Sequence, residues 1–221
     1  MKLRAVGVRG KALAWFENYL FGRCQCTAVG RHLSSAAPLY AGVPQGAVLS
    51  PLLFSLYMND IVKCTDANVN LFADDTSVFV TDKSPSGLQV KLQAAVDQLA
   101  FWFDSWALAV NHRKSALMVL TTRRSVPALN VSLAGDVIQQ ATSHKHLGLT
   151  LDCHLSWSQH TTDIIAKASR KIGLLRRLRR RLPALAIQSV YITCIRPALE
   201  YASVAWCGVS TSDTKRLERA Q

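Results

Sequence analysis

Acidic residues are scarce in this sequence. It holds 14 Asp and Glu against 26 Lys and Arg, which gives a formal net charge of +12 at pH 7 and an isoelectric point near 9.8. Such an imbalance says little about fold, but it favours a polyanionic partner, either nucleic acid or an anionic membrane surface. The excess is uneven, since residues 160–221 hold twelve basic and four acidic side chains, a net charge of +8. Because incidental basicity would be spread more evenly, this distribution indicates a localised contact with a polyanion.

A long unbroken apolar run is also missing. The longest uncharged stretch, residues 32–59, is interrupted by three prolines and several Ser and Gln residues, whereas a membrane-spanning helix needs about 20 mostly apolar residues in succession. The first residues, Met1 to Arg4, do not lead into the apolar segment of a signal peptide. We therefore predict no transmembrane segment, no membrane partner and no secretion, which places the protein inside the cell, in the cytoplasm or the nucleus.

The six cysteines form neither a Cys-x-x-Cys pair nor the dense framework of a disulfide-stabilised domain. Cys24 and Cys26 stand close together, but that pattern is too weak to indicate a zinc site. His144 and His146, with two more histidines further on, complete no known ligand spacing either. We predict free thiols in a reducing compartment and no zinc.

Hydrophobic periodicity and turn-forming residues predict a mixed first part and a helical second part. The predicted strands cover residues 23–30, 37–40, 68–72, 77–80, 108–110, 116–120, 131–133, 137–138 and 146–151. The predicted helices cover residues 10–20, 52–62, 86–106, 160–181, 184–195, 198–206 and the chain from 212 onward. Ser50 is the predicted N-cap of the second helix, with Pro51 at its first position. The five Trp residues are predicted to anchor cores rather than to stack on bases.

Two adjacent acids, Asp74 and Asp75, stand between two apolar runs. Leu71-Phe72 precedes them and Val78-Phe79-Val80 follows, so we predict a β-hairpin with the turn Ala73-Asp74-Asp75-Thr76. Neighbouring carboxylates repel each other unless a cation neutralises them. Mg²⁺ prefers one or two carboxylates together with substrate phosphates, and pairs of such ions catalyse phosphoryl transfer. On this segment alone, a metal site and an exposed Asp-rich turn are equally well supported.

Three further blocks favour the metal site. Gly42-Val43-Pro44-Gln45-Gly46 and the residues up to Phe54 precede the hairpin, and Asn111-His112-Arg113-Lys114-Ser115 and then His146 to Asp152 follow it. Together with Phe72-Ala73-Asp74-Asp75, the set resembles the reverse transcriptase of non-LTR (LINE-type) retrotransposons over essentially the whole chain. The resemblance implies an RNA-directed DNA polymerase with two Mg²⁺ ions, an RNA template, a DNA primer and deoxynucleoside triphosphates. It also implies an α+β fold, with a partial right-hand polymerase palm over residues 1–155 and an all-helical basic thumb over residues 156–221.

The resemblance implies roles for individual residues. Asp74, the principal carboxylate, and Asp75 are expected to bind the metal ions, and Lys114 is expected to protonate the departing pyrophosphate. Asn111 is expected to order the loop that carries Lys114, and His146 to Asp152 resembles the primer-grip hairpin. The residues expected to contact nucleotide or template are Gly42, Pro44, Gln45, Gly46, Phe72 and Asn111.

The amino terminus departs from the family pattern. In the family, a strand with the first catalytic aspartate lies just upstream of the stretch that matches Leu3 to Gly7, and this sequence starts after that strand. We therefore expect a truncated reverse transcriptase without fingers, which binds nucleic acid weakly and cannot synthesise DNA efficiently alone. Two alternatives stay open: a non-catalytic nucleic-acid-binding remnant of a retroelement, and an enzyme whose first residues were lost in gene prediction.

Seven cations are concentrated near the end of the first helix of the predicted thumb. They are Arg170, Lys171, Arg176, Arg177, Arg179, Arg180 and Arg181. On the exposed side of that helix they would contact several phosphates of a template–primer duplex and make binding strongly salt-dependent. A solvated basic face and a nuclear-targeting signal are the alternatives, but the position after the palm favours the duplex contact.

Overall fold

The computed structural model describes residues 1–220. The chain divides into two compact units, Met1–Val110 and Asn111–Gln221, and each has its own core of buried side chains. Both units contain helices and strands, which agrees with the predicted mixed α and β class. These units divide the chain at a different place from the predicted domain boundary near residue 155, and that boundary stays a prediction. No helix within residues 1–220 is long and apolar enough to cross a membrane.

Unit 1 contains the helices Lys2–Ala5, Gly10–Leu20, Ser50–Met58 and Pro85–Ser105, with a 3-10 turn at Ile61–Lys63. Its strands pair antiparallel: Cys24–Gln25 with Ala37–Pro38, Ala28–Val29 with His32–Leu33, and Asn68–Phe72 with Asp75–Phe79. The helix over residues 10–20 coincides with its prediction. The strands predicted over residues 23–30 and 37–40 are confirmed only in part, because pairing there reaches two residues at a time.

The long helix Pro85–Ser105 organises the core of unit 1. Its start is fixed by Ser84, whose hydroxyl oxygen accepts a hydrogen bond from the Gly87 amide at 3.1 Å. Its predicted apolar stripe is buried at Leu92, Ala95, Val96, Leu99 and Trp102. Leu99 and Trp102 join Met58 and Ile61 in one cluster, and burial of each such side chain contributes about 1.5–3 kcal/mol.

The first 49 residues contribute no buried side chain to this core. The helix Gly10–Leu20 has no buried residue, and Trp15 on it is 51% exposed. The prediction that every Trp anchors a core is therefore wrong for Trp15, although Trp102 and Trp206 are buried as predicted. The apolar periodicity of residues 10–20 predicted the helix correctly, but periodicity alone does not specify a neighbour that would cover it.

Lys2 is an exception in this segment, because its side chain is only 14% exposed. Its ammonium lies 3.7 Å from the ring centroid of Trp106, 4.6 Å from that of Trp102 and 4.8 Å from that of Tyr57. It also forms a 2.6 Å ion pair with Asp60 and donates to the Tyr57 carbonyl. Three aromatic faces and one carboxylate thus replace the water that a buried ammonium loses.

Replacing Lys2 by Ala should lower the free energy of unfolding of unit 1 by about 2 kcal/mol, since it removes the cation–π contacts and the ion pair together. Denaturant unfolding followed by Trp fluorescence measures this change. Lys63, whose side chain is exposed, offers a matched control, and Lys63→Ala should change the stability by less than about 0.5 kcal/mol. Equal effects of the two variants would contradict a stabilising role for the aromatic cage.

Unit 2 begins with a 3-10 turn at His112–Lys114 and two antiparallel hairpins, Ser132–Leu133 with Asp136–Val137 and Ser143–His146 with Leu149–Asp152. Its helical elements are Ser158–Leu178, Ala184–Val190, the π turn Tyr191–Ile195, Arg196–Glu200, Ser203–Trp206 and Thr211–Ala220.

The strands predicted over residues 108–110 and 116–120 are wrong. The second run is buried at Leu117 and Val119, but it pairs only through an isolated bridge from Leu117 to Gln140. Its burial explains the apolar pattern without a ladder of strand bonds.

The helix Ser158–Leu178, which we call the basic helix, packs on the helices that follow it. It buries Ile164 and Ala168 against Ile195, Leu199 and Trp206. Its start is also tied to the last helix, because buried Asp213 accepts hydrogen bonds from Ser158 at 2.9 Å and from Arg216 at 2.8 Å. A hydrogen bond from the Ser210 hydroxyl at 2.8 Å lowers the pKa of Asp213 most, and the bonds from Ser158 and Arg216 add to this shift against the opposing effect of burial.

His160 is buried near the start of the basic helix, with its ring beside Trp157 and Trp206. Its Nδ1 accepts a 3.2 Å hydrogen bond from the Thr150 amide, and its Nε2 is buried without a partner within residues 1–220. Burial lowers the pKa of His160, and Lys167 lowers it further while Asp163 opposes the shift. Because Nδ1 is an acceptor, only the neutral ring fits this site.

Unit 2 should therefore lose stability as the pH falls. The folded pKa of His160 lies below its ordinary value of 6.5, so the unfolded chain binds the proton first, and stability is lost below about pH 6.5. Thermal unfolding between about pH 7.5 and about pH 5.5 measures the effect. His160→Gln should lower the midpoint at the higher pH and flatten its pH dependence. An unchanged pH dependence in that variant would contradict this assignment.

Candidate active site

The two adjacent acids lie at the tip of a short antiparallel hairpin, which we call the acidic hairpin. Its strands are Asn68–Phe72 and Asp75–Phe79, with Phe72 opposite Asp75 in the register. The turn is therefore formed by Ala73 and Asp74 alone, so the predicted four-residue turn is too long by two residues. Ala73 adopts a φ of 53°, which is a conformation that glycine favours at the first position of a two-residue hairpin turn. The hairpin thus holds strained backbone directly beside Asp74.

Strand alternation gives this hairpin two different faces. Val69, Leu71 and Val78 pack against the core cluster around Met58 and Trp102. The opposite face carries exposed Asn68, Asn70, Phe72, Asp75 and Phe79. The core beneath the hairpin therefore directs the Asp75 side chain and the aromatic ring of Phe72 outward on one surface.

Asp74 and Asp75 are both exposed, and no ion pair engages either carboxylate within residues 1–220. Their oxygen donors match in kind what a hard divalent cation prefers. In number they fall short, because the described residues contain no group of three or more His, Cys, Asp or Glu side chains that could hold a metal ion. Two carboxylates suffice to bind an ion that is also coordinated by substrate phosphates. They do not suffice for a site in which the protein supplies all the ligands.

The glycine loop, Gly42 to Gly46, precedes the helix Ser50–Met58. Gly42 and Gly46 have φ values of 95° and 80°, and open space surrounds the position of a Cβ at each, so the predicted unusual dihedrals are confirmed. Gln45 between them is exposed, and Pro44 is half-buried.

Ser50 corrects one prediction in this region. It is the first residue of its helix rather than the N-cap, which is Leu49, and Pro51 lies near the helix start as predicted. The buried Ser50 hydroxyl instead donates to the Pro44 carbonyl. Because the same helix places Met58 in the core cluster that supports the acidic hairpin, one core of unit 1 positions both elements.

Asn111 and Lys114 belong to unit 2, where they form a short 3-10 turn. The Asn111 carbonyl accepts hydrogen bonds from the Lys114 amide at 3.1 Å and the Ser115 amide at 3.2 Å, while the Lys114 side chain is exposed. The backbone carbonyl of Asn111 therefore closes this turn.

The predicted primer-grip segment forms the hairpin Ser143–His146 and Leu149–Asp152, which we call the second hairpin. Its tip residues Leu147 and Gly148 have φ values of 46° and 84°, as a two-residue type I′ turn requires. Tyr201 covers this tip, since its hydroxyl donates to the Leu147 carbonyl at 3.0 Å. A Cβ on Gly148 would lie 3.1 Å from the Tyr201 ring.

Replacing Gly148 by Ala should destabilise unit 2 by about 1–3 kcal/mol, because the positive φ and the close Tyr201 ring both disfavour a side chain. Denaturant unfolding measures the loss. Gly208 is the matched control, since open space surrounds its Cβ position and its φ is not positive. The prediction fails if Gly208→Ala and Gly148→Ala are equally stable.

Asp152, the last residue of the second hairpin, has a structural role that the sequence did not reveal. Its carboxylate accepts hydrogen bonds from the backbone of His154 at 3.0 Å, Ser156 at 3.1 Å and Trp157 at 3.0 Å. Although burial raises the pKa of Asp152, these bonds lower it more strongly, and the net shift is downward. The carboxylate thus fixes the turn from which the basic helix begins at Ser158.

All seven cations of the predicted duplex surface are exposed. Arg170, Lys171, Arg176 and Arg177 lie on the basic helix, and the remaining three arginines follow its end at Leu178. A shallow cavity of about 400 Å³ lies between Arg170 and Arg177, over Gly173, where no other atom approaches a Cβ position. The structure therefore confirms the exposure that contact with phosphates needs.

The other large cavity, of about 420 Å³, lies away from the acids. It is lined by residues at the open end of the acidic hairpin, including Asn68 and Phe79, and by Lys91 on the long helix. The turn residues Ala73 and Asp74 do not line it. The two carboxylates therefore lie on open surface rather than in this cavity.

Comparison with known proteins gives a consistent result. A model of the family described as reverse transcriptase (RNA-dependent DNA polymerase) matches residues 1–151. The RNA-directed DNA polymerase from mobile element jockey of Drosophila melanogaster is 32% identical over 197 residues, which are 84% of this chain and 21% of that protein. The probable RNA-directed DNA polymerase from transposon BS of the same species is 27% identical over 218 residues, 93% of this chain and 24% of that protein. The chain thus spans about a quarter or less of the length of these relatives. No solved structure matches the chain significantly.

Proposed function

This chain belongs to the reverse transcriptase (RNA-dependent DNA polymerase) family, of the kind found in non-LTR retrotransposons, and we propose that it is part of an enzyme that copies RNA into DNA. Its relatives are named as RNA-directed DNA polymerases. The family uses divalent metal ions and acts on RNA, DNA and nucleotides. For this chain, the proposed substrates are an RNA template, a DNA primer and deoxynucleoside triphosphates.

The observation that carries the proposal is the acidic hairpin. It places two uncompensated carboxylates at an exposed tip, on a hairpin whose opposite face is packed into the core. A catalytic surface for a polymer needs this combination, because the ligands must be fixed in position and still accessible.

In this proposal Asp74 and Asp75 hold Mg²⁺, and Phe72 packs beside the primer end. A bound ion would neutralise phosphate charge and help activate the attacking oxygen. Gly42, Pro44, Gln45 and Gly46 lie against the template base and the incoming nucleotide. Asn111 orders the loop of Lys114, which gives a proton to the departing pyrophosphate.

The proposal extends to the architecture and to the basic helix. The mixed region of residues 1–155 corresponds to a palm, and the helical region of residues 156–221 corresponds to a thumb. In the thumb, the exposed arginines that end with Arg181 follow the phosphates of the template–primer duplex.

We further propose that the 221-residue polypeptide alone binds template–primer but does not extend it efficiently. Asp74 and Asp75 supply two carboxylates, and residues 1–220 contain no metal-binding group of three. A metal ion that arrives bound to the phosphates of a nucleotide can bind to such a pair. Efficient catalysis also needs the attacking and leaving groups fixed in an in-line arrangement, and two carboxylates do not fix it.

A dissociation assay tests the polymerase proposal. With Mg²⁺, the deoxynucleotide complementary to the next template base should slow release of a labelled template–primer by about fivefold, equivalent to about 1 kcal/mol. Non-complementary nucleotides should have no such effect, and Asp74→Asn should abolish the difference. If all four nucleotides act alike, the chain is a binding remnant without a polymerase site.

A further inference from the structure

Three side chains within residues 10–23 form a stacked column, which we call the aromatic column. They are Trp15 and Tyr19, neighbours on one face of the helix Gly10–Leu20, and Arg23, which lies three residues beyond the end of that helix. The rings of Trp15 and Tyr19 are nearly parallel, with an interplanar angle of 7° and centroids 5.3 Å apart. The guanidinium carbon of Arg23 lies 5.4 Å from the Tyr19 ring centroid.

The column is held in place by its own neighbours. Arg23 donates a hydrogen bond to the Tyr19 carbonyl at 3.2 Å, which fixes the guanidinium near the end of the helix. Phe16 meets Trp15 edge to face at 81°, with centroids 5.1 Å apart. These contacts orient the rings before any ligand arrives, so little conformational entropy is lost on binding.

Trp15 presents one end of the column to solvent, while Tyr19 is half-buried. Its helix Gly10–Leu20 buries no residue, and Trp15 is 51% exposed. An apolar stripe would normally lie against a core, and half of a Trp surface in water is costly by roughly 25 cal/mol per Å². The exposed face therefore suits a ligand that can stack on it.

The charge around the column favours a polyanion. Residues 1–60 hold six Lys or Arg and two acids, Glu17 and Asp60, and Lys2 is paired with Asp60. Arg4 lies 3.7 Å from the Glu17 carboxylate and offsets its charge. Lys11 is exposed on the column's own helix, and Arg9 precedes that helix. A protein partner with an ordinary apolar interface would not need this excess of positive charge.

We propose that the aromatic column binds single-stranded nucleic acid by stacking an unpaired base on Trp15, which Tyr19 supports from its other side, while Arg23 and nearby cations contact the phosphates. Aromatic faces accept any base, so the contact does not depend on sequence. A blunt duplex keeps its bases paired and does not offer them for stacking. The column therefore distinguishes single strands from duplexes. The basic helix contacts phosphates, which both forms of nucleic acid carry. This inference goes beyond the proposed polymerase site and does not depend on metal binding by Asp74.

Direct binding of the full chain to labelled oligonucleotides tests the proposal. Trp15→Ala should weaken binding of an oligouridylate of about 12 nucleotides by about tenfold, because stacking of a base contributes strongly, and Tyr19→Ala should also weaken it, because it removes the ring that orients Trp15. Trp15→Phe should retain most of the affinity. Binding of a blunt duplex of the same length should be unchanged in all three variants. The oligouridylate should also quench the Trp fluorescence of the unmodified chain, and this quenching should be smaller in Trp15→Phe.

Phe101 provides the matched control. It is 76% exposed on the long helix, in a stretch where Asp97 and Asp104 are the nearest charged residues in sequence, so Phe101→Ala should leave single-strand affinity unchanged. The proposal is overturned if Trp15→Ala binds the oligouridylate as tightly as the unmodified chain. It is also overturned if single-strand and duplex affinities fall equally, or if only self-association changes, since the face would then bind protein. Asp74→Asn should leave this binding unaltered, which separates the test from that of the polymerase site.

Discussion

Replacing Asp74 by Asn should weaken binding of Mn²⁺, a spectroscopic substitute for Mg²⁺, by about tenfold, or about 1.4 kcal/mol. The amide keeps the shape of the side chain but removes one of the two negative charges at the tip of the acidic hairpin. No cation within residues 1–220 forms an ion pair with that charge in the folded protein, so its loss acts directly on the bound ion. Electron paramagnetic resonance of free Mn²⁺, in the presence of template–primer and a deoxynucleotide, measures the change.

Asp66→Asn is the control for this experiment. Asp66 precedes the first strand of the acidic hairpin by two residues, so its replacement changes the net charge equally without altering the tip. The Asp66 variant should bind Mn²⁺ as the unmodified chain does. Equal weakening in both variants would show that only the overall charge matters, and would contradict a metal site at Asp74 and Asp75. Both variants should unfold at the same temperature as the unmodified chain, because neither side chain is buried.

Neutralising the arginine cluster should have the largest effect on affinity. Replacement of five exposed arginines by Gln should weaken template–primer binding by about 100-fold or more at low salt, since each replacement removes a charge that faces a phosphate. The residues are Arg176, Arg177, Arg179, Arg180 and Arg181. The slope of log affinity against log salt should also become shallower by about one for each phosphate that is no longer neutralised. Fluorescence anisotropy over a series of salt concentrations measures both quantities.

A variant with the same change in net charge provides the control for the arginine cluster. Five exposed cations elsewhere are replaced by Gln: Lys63, Lys83, Arg113, Arg123 and Arg124. This variant should lose much less affinity and keep a steep salt dependence. If both variants lose affinity equally, the chain binds nucleic acid through its overall charge, and the arginine cluster is a solvated face. Neither variant should lose its fold, because none of the replaced side chains is buried.

Sequence patterns predicted the features that depend on local periodicity. The stripe of the long helix is buried at Leu92, Leu99 and Trp102 as predicted, because the 3.6-residue repeat alone defines that face. The first strand of the acidic hairpin formed over residues 68–72 as predicted, whereas the second begins two residues earlier than predicted, at Asp75, because the turn is shorter. The resemblance to non-LTR reverse transcriptases is confirmed by the family match and the relatives. The roles implied for individual residues stay predictions.

The features that the sequence did not predict depend on contacts between distant residues. The run around Leu117 has the pattern of a strand, but its backbone found only one bridging partner within residues 1–220. Ser50 has the sequence context of an N-cap, yet its hydroxyl reaches the Pro44 carbonyl instead. Nothing in the local sequence of Lys2 indicates the three aromatic rings around it, which come from positions more than fifty residues away. For Trp15, the four-residue spacing to Tyr19 within the helix Gly10–Leu20 was the one sequence feature that indicated stacking of the two rings.

Primer extension by the purified 221-residue chain is the most direct test of the central claim, that the acidic hairpin is a reverse transcriptase site with too few ligands in this polypeptide to act alone. The assay supplies an RNA template, a labelled DNA primer, Mg²⁺ and deoxynucleotides. We expect the chain to bind the template–primer and to produce at most trace extension. Robust, template-directed, Mg²⁺-dependent synthesis that is abolished by Asp74→Ala would contradict that claim and show that the site is complete as it stands.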